Sequence, residues 1–171
     1  MILLDTSILS YLLNPHARPP IDTATGQPIQ HCAARIEHFI AHHAKAKIVV
    51  AMPTVAELLV MAGEHMEEFL VRIDKASALR LMPFDKAAAM ECALMDQEAK
   101  LTGDKKGGGE SSWQKIKVDR QILAVGRVAG VVDFYSDDKN LRKMAQRLGI
   151  SVKNISDMPI PPEDAQQKLD L

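Results

Sequence analysis

The segment MILLDTSILSYLL (residues 1–13) indicates the fold class, because a short strand in it runs directly into a helix. Ile2–Leu4 is a continuous apolar run, which is typical of a strand that is buried on both faces. Thr6–Leu13 then carries isoleucine and leucine residues at the spacing of one helical face. Asp5 lies between the two elements, so the segment predicts a strand, an acid and a helix in that order.

The same alternation of strand and helix continues along the chain. Further apolar runs predict strands at Ile48–Ala51, Leu79–Met82, Val131–Tyr135 and Ser151–Ile155. Helical spacing of apolar residues predicts helices at Thr54–Ala62, Asp85–Leu101, Asp119–Ala129 and Asp138–Leu148. Thr54 and Asp85 are the expected N-caps of two of these helices. The pattern predicts an α/β fold, a three-layer α/β/α sandwich with a five-stranded parallel sheet.

Length and composition are those of one globular domain. The chain has 171 residues, of which 47% are hydrophobic and 25% are charged. We expect the domain to span residues 1–158 and a polar C-terminal tail to follow at 159–171. Residues 14–30 and 102–112 are rich in proline or glycine, and these stretches predict loops.

Charge and cysteine content exclude several classes of protein. The net charge of −1 argues against a nucleic-acid coat protein, which would be strongly basic, but it is compatible with a nuclease that has an acidic centre and a local basic rim. Two cysteines are too few for a disulfide framework. The sequence shows no secretory signal and no apolar stretch approaching the roughly 18 residues that a membrane span needs. We expect a cytoplasmic protein.

Acidic side chains follow several predicted strands at the point where each strand ends. Asp5 closes the first strand, Glu57 lies in the first turn of the helix after the second, and Asp137 and Asp138 follow the fourth. Ligands of an open α/β sheet bind outside the carboxyl ends of its strands. The sequence therefore predicts an acidic cluster at one edge of the sheet.

Asp119 gives a different signal, because it shares a helical face with Ile122, Leu123 and Gly126. A carboxylate within an apolar stripe is costly unless it is paired. Either a metal ion or a basic side chain would serve as its partner.

Each of these acids also has a structural interpretation. Asp5 and one of the Asp137–Asp138 pair could cap the helices that follow them. Thr54 and Glu57 have the spacing of a capping box. Asp119 could form a buried ion pair with a lysine or an arginine.

Clustered carboxylates repel one another, and a hard divalent cation relieves that repulsion. Oxygen-rich sites suit Mg²⁺ or Mn²⁺ rather than zinc. The chemistry that such a site supports is phosphoryl transfer.

Four segments together resemble PIN-domain nucleases, which include the VapC-type toxins of bacterial toxin–antitoxin pairs. They are MILLDTS (residues 1–7), PTVAE (53–57), KVDRQILA (117–124) and YSDDKNL (135–141). The resemblance covers about residues 1–155. It implies a PIN-like five-stranded sheet and an endoribonuclease that hydrolyses RNA phosphodiester bonds with Mg²⁺ or Mn²⁺. It also implies a homodimer and an antitoxin protein as a candidate partner.

The same resemblance assigns roles to individual residues. The metal-binding and catalytic acids would be Asp5, Glu57, Asp119 and Asp138, with Asp137 a near competitor for the last position. A hydroxyl that supports the first acid would come from Thr6 or Ser7.

Basic residues beside Asp119 are candidates for RNA binding. Lys115, Lys117 and Arg120 could contact the phosphate backbone, or they could simply form a solvated helix face. Two other functions stay open at this point. One is a non-catalytic PIN module that binds RNA or protein, and the other is an aspartate-dependent phosphatase that uses Asp5, although Ser7 stands where such enzymes usually place a second acid.

Overall fold

The computed structural model describes residues 1–14, 17–22, 25–43, 48–104, 106 and 111–162. Within these ranges the strands are β1 (Ile2–Leu4), β2 (Ile48–Ala51), β3 (Leu79–Met82), β4 (Asp133–Tyr135) and β5 (Ser151–Lys153). The α-helices are α1 (Thr6–Leu13), α2 (Cys32–His42), α3 (Met52–Ala62), α4 (Met66–Lys75), α5 (Lys86–Leu101), α6 (Trp113–Val128) and α7 (Lys139–Arg147). Short 3₁₀ turns lie at Gly63–His65 and Ile155–Asp157.

The strands form one five-stranded sheet in the order β3-β2-β1-β4-β5, and every pairing is parallel. β1 is central, with Leu4 in register with Val50 of β2 and with Tyr135 of β4. The carboxyl ends of β1, β2 and β4 therefore meet at one edge of the sheet. The predicted five-stranded parallel sheet is confirmed.

Helices cover both faces of the sheet. Leu3, Val49 and Phe134 pack into a buried cluster with residues of α5, α6 and α7. The neighbouring strand residues belong to two clusters on the opposite face, which include residues of α1 to α4. Because successive strand residues face opposite layers, the two strands that are buried along their whole length, β1 and β2, are apolar at every position. The three-layer α/β/α sandwich is confirmed.

Helix α6 crosses β1 at very short range. A Cβ atom on Gly126 would lie 2.8 Å from Cδ2 of Leu3, so a larger residue there would require the buried Leu3 side chain to move. Asp119 stands seven residues earlier on the same face, which is about 10 Å along the helix axis. This close crossing brings Asp119 to the end of β1, where Asp5 lies.

Several predicted boundaries differ from the structure. Thr54 is not an N-cap, because α3 begins directly after β2 with Ala51 as its N-cap. α6 begins at Trp113 instead of residue 119, capped by Ser112, whose Oγ accepts a hydrogen bond from the Lys115 backbone N–H at 3.3 Å. The fourth and fifth strands are shorter than predicted, and α2 and α4 were not delimited from the sequence. The predicted cap of α5 is confirmed, since Asp85 accepts a hydrogen bond from the Ala88 backbone N–H at 3.0 Å.

The predicted loops and tail are only partly described. In the first loop, Ile21 and Pro28 form an isolated antiparallel bridge. Residues 15, 16, 23, 24, 105, 107–110 and most of the predicted tail, 163–171, lie outside the described residues. No helix among the described residues is long and apolar enough to cross a membrane.

Candidate active site

A cavity of about 910 Å³ opens at the carboxyl edge of the sheet. Four carboxylates line it, from Asp5, Glu57, Asp119 and Asp138, together with Lys115. These acids come from four separate parts of the chain, and the structure places all four on one cavity, while their roles stay predictions.

Asp5 is held at the end of β1 by two hydroxyl groups. Ser136 Oγ donates a hydrogen bond to its Oδ2 at 2.7 Å, and Ser7 Oγ donates to the same oxygen at 3.1 Å. Burial raises the pKa of the Asp5 carboxyl despite these hydrogen bonds, and the charge of Glu57 adds to the rise. The Asp5 side chain forms no capping bond to α1, so the structural interpretation of this acid as a cap is wrong.

Glu57 is held by a residue of a different helix. Thr6 Oγ1 donates a hydrogen bond to Glu57 Oε2 at 2.6 Å. The capping box with Thr54 is not formed, because Thr54 is buried within α3 and its hydroxyl has no hydrogen-bond partner among the described residues. Thr6 and Ser7 thus support two different acids, Glu57 and Asp5.

Asp119 is the acid of the four whose burial is least compensated by hydrogen bonds. Its side chain is buried, and among the described residues Oδ2 has no hydrogen-bond partner. Burial, opposed by the charge of Lys115 and reinforced by the charges of Asp138, Asp5 and Glu57, raises the pKa of Asp119 to about 7. A buried ion pair is therefore not the explanation of this acid, because Lys115 forms its ion pair with Asp138 instead.

Asp138 caps α7 with one carboxylate oxygen and forms an ion pair with the other. Oδ1 caps α7 by accepting hydrogen bonds from the backbone N–H groups of Asn140 at 2.8 Å and Leu141 at 3.1 Å. Oδ2 forms an ion pair with the Lys115 ammonium group. Burial by itself would raise the pKa of Asp138, but the hydrogen bond and charge of Lys115, with the capping bonds, hold it below its ordinary value.

Asp137 is directed away from the cavity. Its Oδ1 accepts a hydrogen bond from the Ile155 backbone N–H at 3.4 Å, and burial raises its pKa. Only its backbone N–H reaches the site, where it donates to Ser7 Oγ at 3.3 Å. Of the adjacent pair, Asp138 is the acid that lines the cavity.

Ser136 is a site residue that sequence reasoning missed. Its hydroxyl is fully buried, donates to Asp5 Oδ2 and accepts a hydrogen bond from the Asp138 backbone N–H at 3.0 Å. The register of β1 with β4 pairs Leu4 with Tyr135, so the next residues, Asp5 and Ser136, lie side by side. A small polar residue directly after a predicted apolar strand was the signal that could have identified it.

The three basic residues predicted to bind RNA are directed differently. Lys115 lines the cavity. Lys117 is exposed, with its Nζ 5.8 Å from the Trp113 ring centroid. Arg120 is not brought to the site, because it is only 3% exposed and forms an ion pair with Asp96 of α5. Its guanidinium carbon lies 5.4 Å from the Trp113 ring centroid.

Much of the remaining cavity wall is apolar. Met52, Val60 and Met61 of α3 form one side, and Phe84 and Val118 lie on others. Val60 is 80% exposed and Met61 68% exposed. The site therefore combines an acidic floor with an apolar rim on the α3 side.

The donor set fits a hard divalent cation. Four carboxylates face one cavity, and an Asp119 oxygen lies buried without a hydrogen-bond partner among the described residues. Oxygen donors of this kind are the ligands that Mg²⁺ and Mn²⁺ prefer. In the described ranges, no group of three or more histidine, cysteine, aspartate or glutamate side chains is arranged closely enough to hold a metal ion. The Lys115 ammonium group supplies the positive charge beside Asp138 in this arrangement.

No protein-family model and no curated protein sequence matches the chain, but solved structures do. The DNA-bound VapBC of Salmonella typhimurium has 17% identity and a TM-score of 0.58, over 90% of this chain and 97% of that one. FitAB bound to a DNA fragment has 21% identity and a TM-score of 0.61, over 93% and 98% of the two chains. This chain has a VapC-like PIN fold. Mycobacterium tuberculosis VapC20, a toxin that cleaves the sarcin–ricin loop, has 14% identity and a TM-score of 0.57, over 93% and 100%.

These likenesses confirm the predicted PIN fold. Because the identities lie at or below 21%, the similarity concerns the fold and leaves the roles of the individual residues as predictions.

We predict that Asp119→Asn does not lower the melting temperature of the metal-free PIN domain. The folded-state pKa of about 7 lies above the ordinary value of 3.8, so folding favours the protonated carboxyl. The stability that this preference contributes is present below about pH 4 and is lost as the pH rises to about 7. The asparagine variant has no such pH-dependent loss of stability. Its melting temperature, compared with that of the unaltered protein, should therefore rise between pH 4 and pH 8.

Thermal melts in EDTA at a series of pH values measure this difference. Asp74→Asn, a change of an exposed aspartate on α4, is the matched control for the loss of one carboxylate. A clear fall in melting temperature for Asp119→Asn at pH 8 would assign Asp119 a structural ion-pair role instead.

Proposed function

We propose that the protein is a divalent-metal-dependent endoribonuclease that hydrolyses RNA phosphodiester bonds, and that it is the toxin of a toxin–antitoxin pair. The observation that carries the proposal is the convergence of Asp5, Glu57, Asp119 and Asp138 on one cavity at the carboxyl edge of the sheet. The similarity to VapBC and VapC20 structures supports the same function.

Each residue of the cavity has a specific part in this proposal. Asp5, Glu57, Asp119 and Asp138 would hold Mg²⁺ or Mn²⁺, which supplies the charge that polarises the phosphate and activates water. Ser136 and Ser7 fix one oxygen of Asp5, and Thr6 fixes one oxygen of Glu57. Lys115 lies where its ammonium group can contact a phosphate oxygen. The expected products carry a 5′-phosphate and a 3′-hydroxyl.

The phosphatase alternative is less well supported. Asp5 is only 5% exposed, and one of its oxygens accepts two hydrogen bonds from serine hydroxyls. A carboxylate held in this way is a poor nucleophile. A non-catalytic module would also have little use for four carboxylates in one cavity, where burial and, after it, their mutual repulsion raise the pKa of Asp119.

Cleavage of mixed cellular RNA tests the proposal. We expect cutting by the purified protein with Mg²⁺ or Mn²⁺, none with EDTA, and a loss of at least about a hundredfold in Asp5→Ala, because this acid lies at the centre of the cluster. Asp74→Ala on α4 is the matched control and should cut normally. Absence of cutting in every metal by a folded protein would favour the non-catalytic module.

The same assay distinguishes the two adjacent acids. Asp138→Asn keeps a good N-cap for α7 but loses a charge in the cavity, so it should lose cleavage without a large loss of stability. Asp137→Asn should keep most of the cleavage, because the Asp137 side chain is directed away from the cavity. The reverse order of activities would assign the fourth position to Asp137.

We also propose an antitoxin partner that covers the cavity, as the names of the VapBC and FitAB structures suggest. The apolar rim on α3 beside an acidic floor is complementary to a protein segment that carries both apolar and basic side chains. Once a partner that inhibits cleavage is in hand, Val60→Lys should weaken inhibition at least tenfold. Val132→Lys, which changes an equally apolar exposed residue elsewhere, should not, and equal inhibition of both variants would place the partner elsewhere.

A homodimer is the expected assembly, and α5 offers a surface for it. Met90, Leu94 and Leu101 form an exposed apolar stripe at helical spacing, and Leu101 is 88% exposed. Exposed apolar stripes of this kind mark contact surfaces. Light scattering should give twice the monomer mass for the unaltered protein and the monomer mass for Leu94→Lys, with Val132→Lys as the control. A monomeric unaltered protein would reject the dimer.

A further inference from the structure

The outward face of α7 is basic and has no acid. Over Lys139–Arg147 the helix carries four basic residues and no aspartate or glutamate. Leu141, Met144 and Ala145 form its buried face. Arg142 is partly buried, and Lys139, Lys143 and Arg147 are left towards the solvent. In a chain whose net charge is −1, this is a strong local concentration of positive charge.

Two of these basic residues are available for a ligand. Lys139 and Lys143 are exposed, and neither forms an ion pair with a carboxylate of the described residues. Arg147 forms an ion pair with Asp104 at 2.6 Å, and its side chain is 55% exposed. Lys139, Lys143 and Arg147 follow one another at four-residue intervals, which is a rise of about 6 Å per step. They therefore form a row along one side of the helix.

This row begins at the edge of the cavity. Asp138, the N-cap of α7, lines the cavity, and so does Leu141 in the first turn. The Asn140 side-chain amide donates a hydrogen bond to Ser111 Oγ at 2.9 Å, which joins the start of α7 to the segment before α6. The first turn of the basic helix is thereby fixed against the candidate active site.

Positive charge around the cavity is concentrated on the α7 side, and this distribution favours binding of a polyanion on that side. The floor is acidic, and the rim on α3 is apolar, so neither attracts a phosphate backbone. On the α7 side, Lys115 within the cavity is followed by Lys139 and Lys143 outside it. A polyanion that reaches the acids would gain its electrostatic attraction from this side.

We propose that the outward face of α7 is the surface that binds the RNA backbone beyond the scissile phosphate, so that the strand runs from the cavity along Lys139 and Lys143. The inference rests on the proposed nuclease function, and it names the surface on which the substrate lies. Phosphate contacts of this kind position the strand and carry no sequence preference.

Binding of a fluorescein-labelled single-stranded RNA of mixed sequence tests the inference. The measurement uses the full chain carrying Asp5→Ala, in Mg²⁺, at several salt concentrations. Adding Lys139→Gln and Lys143→Gln should raise the Kd about tenfold at 0.1 M salt and make the slope of log K against log salt shallower by about 1.4, because about 0.7 is lost per phosphate contact on a single strand.

The matched control carries Lys75→Gln and Arg80→Gln, which remove the same charge at exposed positions on α4 and β3, at the opposite edge of the sheet. It should keep the Kd within about twofold and the slope unchanged. Melting temperatures of both double variants exclude loss of fold as a cause.

Equal Kd values and equal slopes for the two double variants would overturn the inference and leave α7 as a surface for an acidic protein. Failure of the proposed function is separately visible, because the protein with Asp5 intact would then cut no RNA in a parallel reaction. Cleavage by that protein together with equal binding by the two double variants would reject the α7 surface alone.

Discussion

The buried hydrogen bond from Ser136 Oγ to Asp5 Oδ2 joins the ends of β1 and β4, and the arrangement of the cavity depends on it. It follows from the register of the two strands, which puts these residues side by side after Leu4 and Tyr135. A buried carboxylate costs several kcal/mol unless hydrogen bonds or a cation compensate it. The same serine hydroxyl accepts a hydrogen bond from the Asp138 backbone N–H, so one group orients two of the four acids.

Asp119 shows most clearly that this arrangement buries a carboxylate without full compensation by hydrogen bonds. The apolar face of α6 packs so closely on β1 that a Cβ atom on Gly126 would lie 2.8 Å from the Leu3 side chain, and Asp119 continues that face into the cavity. Its buried oxygen without a hydrogen-bond partner among the described residues is a local conflict that a stable fold would avoid. Conflicts of this kind are expected at functional sites, where a ligand supplies the missing interaction.

Much of the fold was predictable from the sequence, because strands buried on both faces leave continuous apolar runs. The prediction for Arg120 failed because α6 packs against two surfaces. α6 packs on the sheet with one side and on α5 with another, so Asp119 and Arg120 are both buried although they are adjacent. Helical periodicity indicates one buried side of α6, and Arg120 does not lie on that side. The sequence therefore makes Arg120 a candidate for RNA binding, whereas in the structure it is paired with Asp96. Thr54 failed as a cap because α3 follows β2 without a loop.

The sequence by itself determined the order of the strands and helices and the placement of acids at the carboxyl ends of the strands. Both follow from local periodicity and from the common direction of parallel strands. Only the tertiary structure decided that Asp138 faces the cavity and Asp137 faces away, because the choice depends on Lys115 and Ile155, each more than a dozen residues distant. It also decided that Ser136 holds Asp5, since that contact exists only through the pairing of β1 with β4.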